Sequence, residues 1–246
     1  MKAWQIFIHS VRQVFGNFND ALRISGLIFI VQMMMVLIVA PEIVEGAPIK
    51  DPIAIPGLLA VVVIGVIGSF WIAVSWHRFV LGNERGRTFV PPFHGGLIWG
   101  YFWRSLIIGL MMVLIAVVIG MLATLVVVPM AKGSWVGVAL LVLIMVVPVL
   151  TVFYRFGTVL PGAALGREVS LSDGWAATTG ATGTIALLAM ISGAATVLLD
   201  APNFWLPAGS IPALLWGVVA GWMQLMVGVS ILTTLYGHYI EKRPLV

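Results

Sequence analysis

The sequence predicts an all-α membrane protein, a bundle of six transmembrane helices with amphipathic helices at one interface. Of the 246 residues, 61% are hydrophobic and only 9% are charged, whereas a soluble domain carries about 25% charged residues. Six long apolar runs are separated by short loops, and most basic residues fall on one side of these runs. No stretch remains for a soluble domain, so residues 1–246 are predicted to form a single integral membrane domain.

The first predicted element is an amphipathic helix over residues 2–18. Its apolar residues recur at i, i+3, i+4 and i+7, which gives one apolar face about 100° wide. They are Trp4, Phe7, Ile8, Val11, Val14, Phe15 and Phe18. Lys2, His9 and Arg12 fall mostly on the opposite face. Such a helix can lie flat in the headgroup layer with its basic residues toward phosphates.

Six predicted spans follow. They cover residues 22–40, 57–81, 105–130, 136–160, 182–199 and 211–235. A helix of about 20 apolar residues crosses a hydrocarbon core of about 30 Å. The runs are continuous, whereas strands of a membrane barrel are about ten residues long and alternate in polarity, so helices are favoured.

The distribution of Lys and Arg predicts the orientation. One side holds eleven of them: Lys2, Arg12, Arg23, Arg78, Arg85, Arg87, Arg104, Arg155, Arg167, Lys242 and Arg243. The other side holds Lys50 and Lys132. Because basic loops stay inside, both termini are predicted to be cytoplasmic.

A weak internal repeat suggests three similar hairpins. Amphipathic segments at 92–104 and 171–178 precede the second and third pairs of spans, as 2–18 precedes the first. Ser170 and Asp173 match a capping box at the start of the third segment. Aromatic and basic residues close the even-numbered spans at 76–79, 153–156 and 235–239. Two interpretations stay open: ordinary enrichment of these residues at the interface, or a true threefold duplication.

The sequence resembles uncharacterised proteobacterial inner-membrane proteins of this size. Trp76-His77-Arg78-Phe79 followed by Leu81-Gly82-Asn83-Glu84 carries the resemblance, together with Leu160-Pro161-Gly162-Ala163 and Ser170-Leu171-Ser172-Asp173. In architecture it is similar to the YciC-like group and to the membrane domain attached to some glycerophosphodiester phosphodiesterases. The resemblance implies a bacterial inner membrane location. The catalytic site of those phosphodiesterases lies in a separate soluble domain, so it implies no activity here.

The residue types predict neither a catalytic centre nor a metal or cofactor site. Cys is absent, and His9, His77, His94 and His238 contain no pair at i, i+4 spacing. No phosphate-binding loop, nucleophile elbow or zinc-protease motif occurs. Nucleic-acid binding is not expected, because the basic residues flank apolar runs.

Five residues near the predicted cytoplasmic interface are candidate contacts for lipid headgroups or a partner: His77, Arg78, Arg104, Tyr154 and Arg155. Arg155 either reaches out to the interface or turns inward onto a phosphate or an acid. Pro148, in the middle of the fourth span, is a candidate helix kink. Gly217 and Gly221 form G-x-x-x-G, which serves packing within the bundle or a homodimer.

These observations favour a non-enzymatic membrane protein that binds phospholipid headgroups or a membrane-protein partner at the cytoplasmic interface. A small transporter or permease subunit is the first alternative, supported by the repeat and by Pro148. It is weakened because no acid falls clearly within a span; Asp200 is placed at the end of the fifth. A membrane-embedded enzyme acting on lipids is the second alternative.

Overall fold

The computed structural model describes residues 1–39, 54–86, 88–131 and 134–245. Its helices, in chain order, are α1 (Lys2–Gly16), α2 (Phe18–Val39), α3 (Ala54–Gly82), α4 (Gly95–Ala131), α5 (Trp135–Gly157), α6 (Leu160–Ala164), α7 (Leu171–Ala177), α8 (Thr182–Asp200) and α9 (Ile211–Leu235). A 3₁₀ turn (Ala201–Phe204) follows α8, and a π turn (Tyr236–Ile240) follows α9. The described residues contain no strand, so the all-α prediction is confirmed.

Six of these helices are long and apolar enough to cross a membrane, which makes the chain a polytopic membrane protein. They are α2, α3, α4, α5, α8 and α9. The observed bounds differ from the predicted spans by a few residues, except in α4. That helix begins at Gly95 and takes in most of the segment predicted at 92–104. Three of the basic residues whose distribution predicts the orientation lie outside the described residues: Lys50, Arg87 and Lys132.

Serine side chains cap the N-termini of three of the helices. Ser134 Oγ accepts from the Gly137 amide at the start of α5, and Ser210 Oγ accepts from the Ala213 amide at the start of α9. At α7, Ser170 and Asp173 form the predicted capping box, with each side chain bonded to the other residue's amide. Each cap satisfies amide groups that a helix start leaves without partners.

The three hairpins do not pack alike. α2 pairs with α3, and α4 pairs with α5, whereas α8 and α9 make little contact with each other. α8 packs mainly on α5, and α9 packs on α3 and on α1. The N-terminal helix α1 contacts both α8 and α9, so it completes the third hairpin rather than the first.

The packed face of α1 differs from the apolar face read from the sequence. Ala3, Ile6, Ser10 and Val14 are the buried residues of α1. At 100° per residue, this stripe lies about a quarter turn from the centre of the predicted face. Trp4 and Phe15 remain exposed. The polar Ser10 is buried because its hydroxyl donates to the Ile6 carbonyl and to Thr234 Oγ1, at 2.8 and 2.9 Å.

The end of α9 forms the centre of the bundle. Every residue from 229 to 237 is buried, and α1, α3 and α6 surround this part. Polar side chains there are paired: Gln13 Oε1 on α1 accepts from Ser230 Oγ at 2.7 Å, and Thr233 meets His77. We call this end of the molecule, where α1, the start of α2, the end of α3 and residues 236–245 lie, the basic end.

Candidate functional site

Several charged side chains line a small cavity at the basic end. It lies between the start of α2, the end of α3 and the loop 83–94, and its volume is about 160 Å³. We call it the interfacial pocket. Its polar lining residues are Asp20, Arg23, Ser75, Arg78, Glu84, Arg85, Thr88 and His94.

Helix periodicity places the first four of these residues. Asp20 and Arg23 lie three apart on α2, and Ser75 and Arg78 lie three apart on α3, so each pair occupies one helix face. The two helices pack against each other, which brings both pairs to the same cavity.

The loop 83–94 is folded back onto α3 at both of its ends. Asn83 adopts a left-handed conformation, with φ of 54°, which Asn tolerates better than most residues. The Glu84 amide then donates to the Arg78 carbonyl at 3.2 Å. At the other end, Trp71 Nε1 donates to the Pro92 carbonyl at 3.2 Å. The loop therefore covers the end of α3 and carries Glu84, Arg85 and His94 to the pocket.

Glu84 is fully engaged within the pocket. Its Oε2 accepts from Arg78 Nε at 2.6 Å, and its Oε1 lies 3.2 Å from His94 Nε2. Arg78 Nη1 also donates to the Ala164 carbonyl of α6 at 3.4 Å. Arg78 is therefore held between the loop and α6, with its charge matched.

Four other pocket groups, Asp20 among them, have no polar partner among the described residues. Arg85 makes no hydrogen bond or ion pair with them, and Arg23 only faces the Phe89 ring, 6.0 Å from its centroid. The Ser75 hydroxyl is buried without a hydrogen-bond partner, and the residue is only 9% exposed. Two unmatched guanidinium groups and a buried hydroxyl suit an anion with several acceptor oxygens, such as a phosphate.

Arg78 is the only one of the five candidate residues from the sequence that lines the described pocket. His77, next in the chain, is fully buried and points elsewhere. Its Nδ1 lies 2.8 Å from Thr233 Oγ1, and its Nε2 lies 3.3 Å from the Tyr101 hydroxyl. Adjacent residues of a helix diverge by about 100°, so His77 joins α3 to α9 and α4 and does not line the pocket.

Arg155 is turned inward, and its guanidinium contacts residues of α7 and its C-terminal cap. Its guanidinium lies 3.4 Å from the centroid of the Trp175 ring, and the residue is 7% exposed. Its Nε donates to Thr178 Oγ1 at 3.0 Å, and its Nη2 donates to the Trp175 carbonyl at 3.0 Å. Arg155 thereby joins α5 to α7.

The remaining candidates lie apart from the pocket. The Tyr154 hydroxyl donates to Ser192 Oγ on α8 at 2.8 Å. Arg104 on α4 is half-buried and makes no ion pair with the described residues. Pro148 lies inside α5, which continues from Trp135 to Gly157, and the kink stays a prediction.

The C-terminal residues are bound next to the pocket. Glu241 pairs with Arg167 and with Arg243, and Arg243 Nη2 donates to the Leu81 carbonyl at the end of α3, at 3.1 Å. Hydrogen bonds to the Tyr236 hydroxyl and to Glu241 raise the pKa of Arg167 above its ordinary value. The carboxylate of Glu241 is thus neutralised, and the end of α3 is fixed.

The sequence did not single out Arg23, Ser75 or His94 as members of one site. The three-residue spacings on α2 and α3 were available signals, yet only the fold shows that the two faces meet under the loop. Among the described residues, no group of three or more His, Asp or Glu side chains could hold a metal ion. No protein-family model, no curated protein and no solved structure matches the chain.

Proposed function

We propose that this membrane protein binds phospholipid headgroups at its basic end, without a chemical step, and that the interfacial pocket is the binding site. One observation carries the proposal: Arg23, Arg85 and the buried Ser75 hydroxyl line one small cavity without polar partners among the described residues. Buried polar groups normally have hydrogen-bond partners. A phosphate oxygen would supply the partner for Ser75 and would match the two guanidinium charges.

The position of the pocket favours a lipid as the source of that phosphate. Arg23 lies in the second turn of the spanning helix α2, and Arg78 lies in the last turns of the spanning helix α3. Both therefore lie near the depth of the headgroups. The excess of basic residues on this side favours a cytoplasmic orientation in a bacterial inner membrane, and anionic headgroups are attracted to such clusters.

The test is retention of phosphatidylglycerol by the purified protein in detergent, followed by native mass spectrometry. Hydrogen bonds to charged groups contribute about 1.5–3 kcal/mol each. Arg23→Gln combined with Arg85→Gln is therefore expected to lower retention by about tenfold or more. Arg104→Gln is the matched control, because it removes an unpaired arginine outside the pocket.

Unchanged retention in the double variant, or an equal loss in Arg104→Gln, contradicts the proposal. A polypeptide that copurifies in stoichiometric amount, and is released by the double variant, would identify a membrane-protein partner instead. Conversion of the bound lipid during incubation would identify a lipid-acting enzyme, for which Glu84 and His94, 3.2 Å apart, are a candidate acid–base pair.

A second candidate function, transport, gains from the position of Asp200. The sequence places this residue at the end of a span, and the structure brings its carboxylate against the middle of another. Its Oδ1 accepts from Gln224 Nε2 at 2.9 Å, and Gln224 lies about 20 Å along α9 from Ile211. This contact weakens the objection to a transporter that no acid falls clearly within a span. Acids at such depth commonly mark ion or proton pathways.

Proton flux into proteoliposomes that contain a pH-sensitive dye, driven by a potassium diffusion potential, tests this alternative. A transporter would show flux that Asp200→Asn abolishes and that Asp173→Asn, at an exposed helix start, leaves unchanged. Absence of flux above empty vesicles, or flux that persists in Asp200→Asn, would reject Asp200 as part of a proton path.

A further inference from the structure

We propose that the interfacial pocket selects a headgroup that carries both a phosphate and a primary ammonium group, as phosphoethanolamine does. This inference rests on the proposed function, because it names the headgroup for the same site. It depends on a fourth unmatched group in the pocket, Asp20, whose charge is opposite to that of Arg23 and Arg85.

Asp20 is half-buried and lines the cavity one helical turn before Arg23. It makes no hydrogen bond or ion pair with the described residues. It lies in the first turn of α2. A negatively charged acceptor is therefore presented to the same space as the two guanidinium groups.

The other charges of the described pocket are already matched. Glu84 lies between Arg78 and His94, so it is not available to a ligand cation. The groups that remain without partners are the two guanidinium groups, the buried Ser75 hydroxyl and the carboxylate of Asp20. A ligand that covers the cavity excludes water from all of them.

A purely anionic headgroup would match Arg23 and Arg85 but would leave Asp20 covered without a donor. An uncompensated buried charge is costly. A primary ammonium supplies three N–H donors to that carboxylate, whereas a quaternary ammonium supplies none. The geometry therefore favours the phosphate-plus-primary-amine class.

The experiment compares retention of phosphatidylethanolamine, phosphatidylcholine and phosphatidylglycerol with identical acyl chains, by native mass spectrometry of the full chain. Wild-type protein is expected to retain phosphatidylethanolamine over phosphatidylcholine by about tenfold, from the charge-assisted hydrogen bonds that only the first forms. Asp20→Asn should remove this preference. Asp20→Glu, which keeps the carboxylate, should retain the preference.

Equal retention of the two zwitterionic lipids by wild type overturns the inference, and so does a preference that survives in Asp20→Asn. In either case, loss of phosphatidylglycerol in the Arg23 and Arg85 double variant would still support headgroup binding, so the two failures are distinguishable. If Asp20→Asn does not fold, the wild-type ranking and the Asp20→Glu variant decide the matter.

A competition arm identifies the source of the headgroup. Free phosphoethanolamine at millimolar concentration that displaces the ethanolamine lipid would identify a soluble compound as a ligand of the pocket. Displacement by the lipid alone would identify the membrane as the source.

Discussion

The contact between Arg155 and Trp175 is expected to be a main support of the junction between α5, α7 and α8. Arg155→Ala should lower the free energy of unfolding without affecting lipid retention, because the guanidinium is occupied by protein groups. This separates Arg155 from Arg23 and Arg85, although all three are basic residues near the same predicted interface.

The magnitude follows from the contacts. The guanidinium lies 3.4 Å from the Trp175 ring centroid and is nearly inaccessible, and a desolvated cation–π contact contributes about 2 kcal/mol. Hydrogen bonds to Thr178 and to the Trp175 carbonyl are lost as well, each worth about 1 kcal/mol net. Burial of the charge offsets part of this gain. A loss of about 2–4 kcal/mol is expected for Arg155→Ala.

The assay is reversible unfolding in mixed micelles by titration with sodium dodecyl sulfate, followed by tryptophan fluorescence and circular dichroism. A double-mutant cycle with Trp175→Leu isolates the pair, and a coupling of about 1–2 kcal/mol is expected. Arg155→Lys should recover only part of the loss, because an ammonium cannot stack or bond as a planar fork.

Arg104→Ala and Trp99→Leu are the matched controls, since Arg104 has no ion pair among the described residues and Trp99 is 59% exposed. Each should change stability by less than about 0.5 kcal/mol. A coupling near zero between Arg155 and Trp175, or an Arg104→Ala effect as large as that of Arg155→Ala, would refute the reasoning.

Three further predictions concern packing, anchoring and pH. Gly68→Ala should lower the free energy of unfolding by about 1–3 kcal/mol, because the added Cβ would collide with the Gln32 amide and lie 3.1 Å from Ile28 Cγ2. The control is Gly65→Ala, whose Cβ would meet nothing within 4 Å. Equal losses of stability for the two variants in the same titration would contradict the prediction. Gln13→Leu removes the acceptor of the Ser230 hydroxyl and should cost about 1–3 kcal/mol and speed proteolysis of the N-terminal segment, whereas exposed Gln5→Leu should do neither. Hydrogen bonds from Ser170 lower the pKa of Asp173, so its support of α7 is present above the ordinary pKa of about 4 and is lost as the pH falls through the folded value. Amide exchange of residues 171–177, corrected for intrinsic rates, should therefore accelerate on acidification in wild type; the same acceleration in Asp173→Asn would assign it to another group.

The spans were predictable because they depend on local composition. Residues 211–235 form α9 with the predicted bounds, and residues 182–199 form α8 to within one residue. The Ser170 capping box was also predictable, since its partners lie three residues apart. Each of these features involves neighbours in the chain, for which sequence spacing and spatial distance are nearly the same.

The site depends on neighbours that are distant in the chain. His77 and Arg78 are adjacent basic residues near the end of the same predicted span, yet His77 faces Thr233 and Arg78 faces Glu84. Which face of α3 is covered by α9 cannot be read from a helix that is apolar on all sides. The packed face of α1 also depends on a distant residue. Ser10 is a polar residue that can be buried because Thr234, far away in the chain, supplies a hydrogen-bond partner.

The position of α1 between α8 and α9 has a consequence for biogenesis. Ser10 and its partner Thr234 are separated by 224 residues, so α1 docks against a helix that is synthesised much later. At translation rates of about 5–20 residues per second, α1 waits roughly 10–45 s before α9 exists. During that interval the five spans α2, α3, α4, α5 and α8 are synthesised, and the face of α1 that later packs on α9 is not yet covered by that helix. Docking of α9 onto α1 therefore follows the synthesis of these spans, and it completes the surface beside the interfacial pocket.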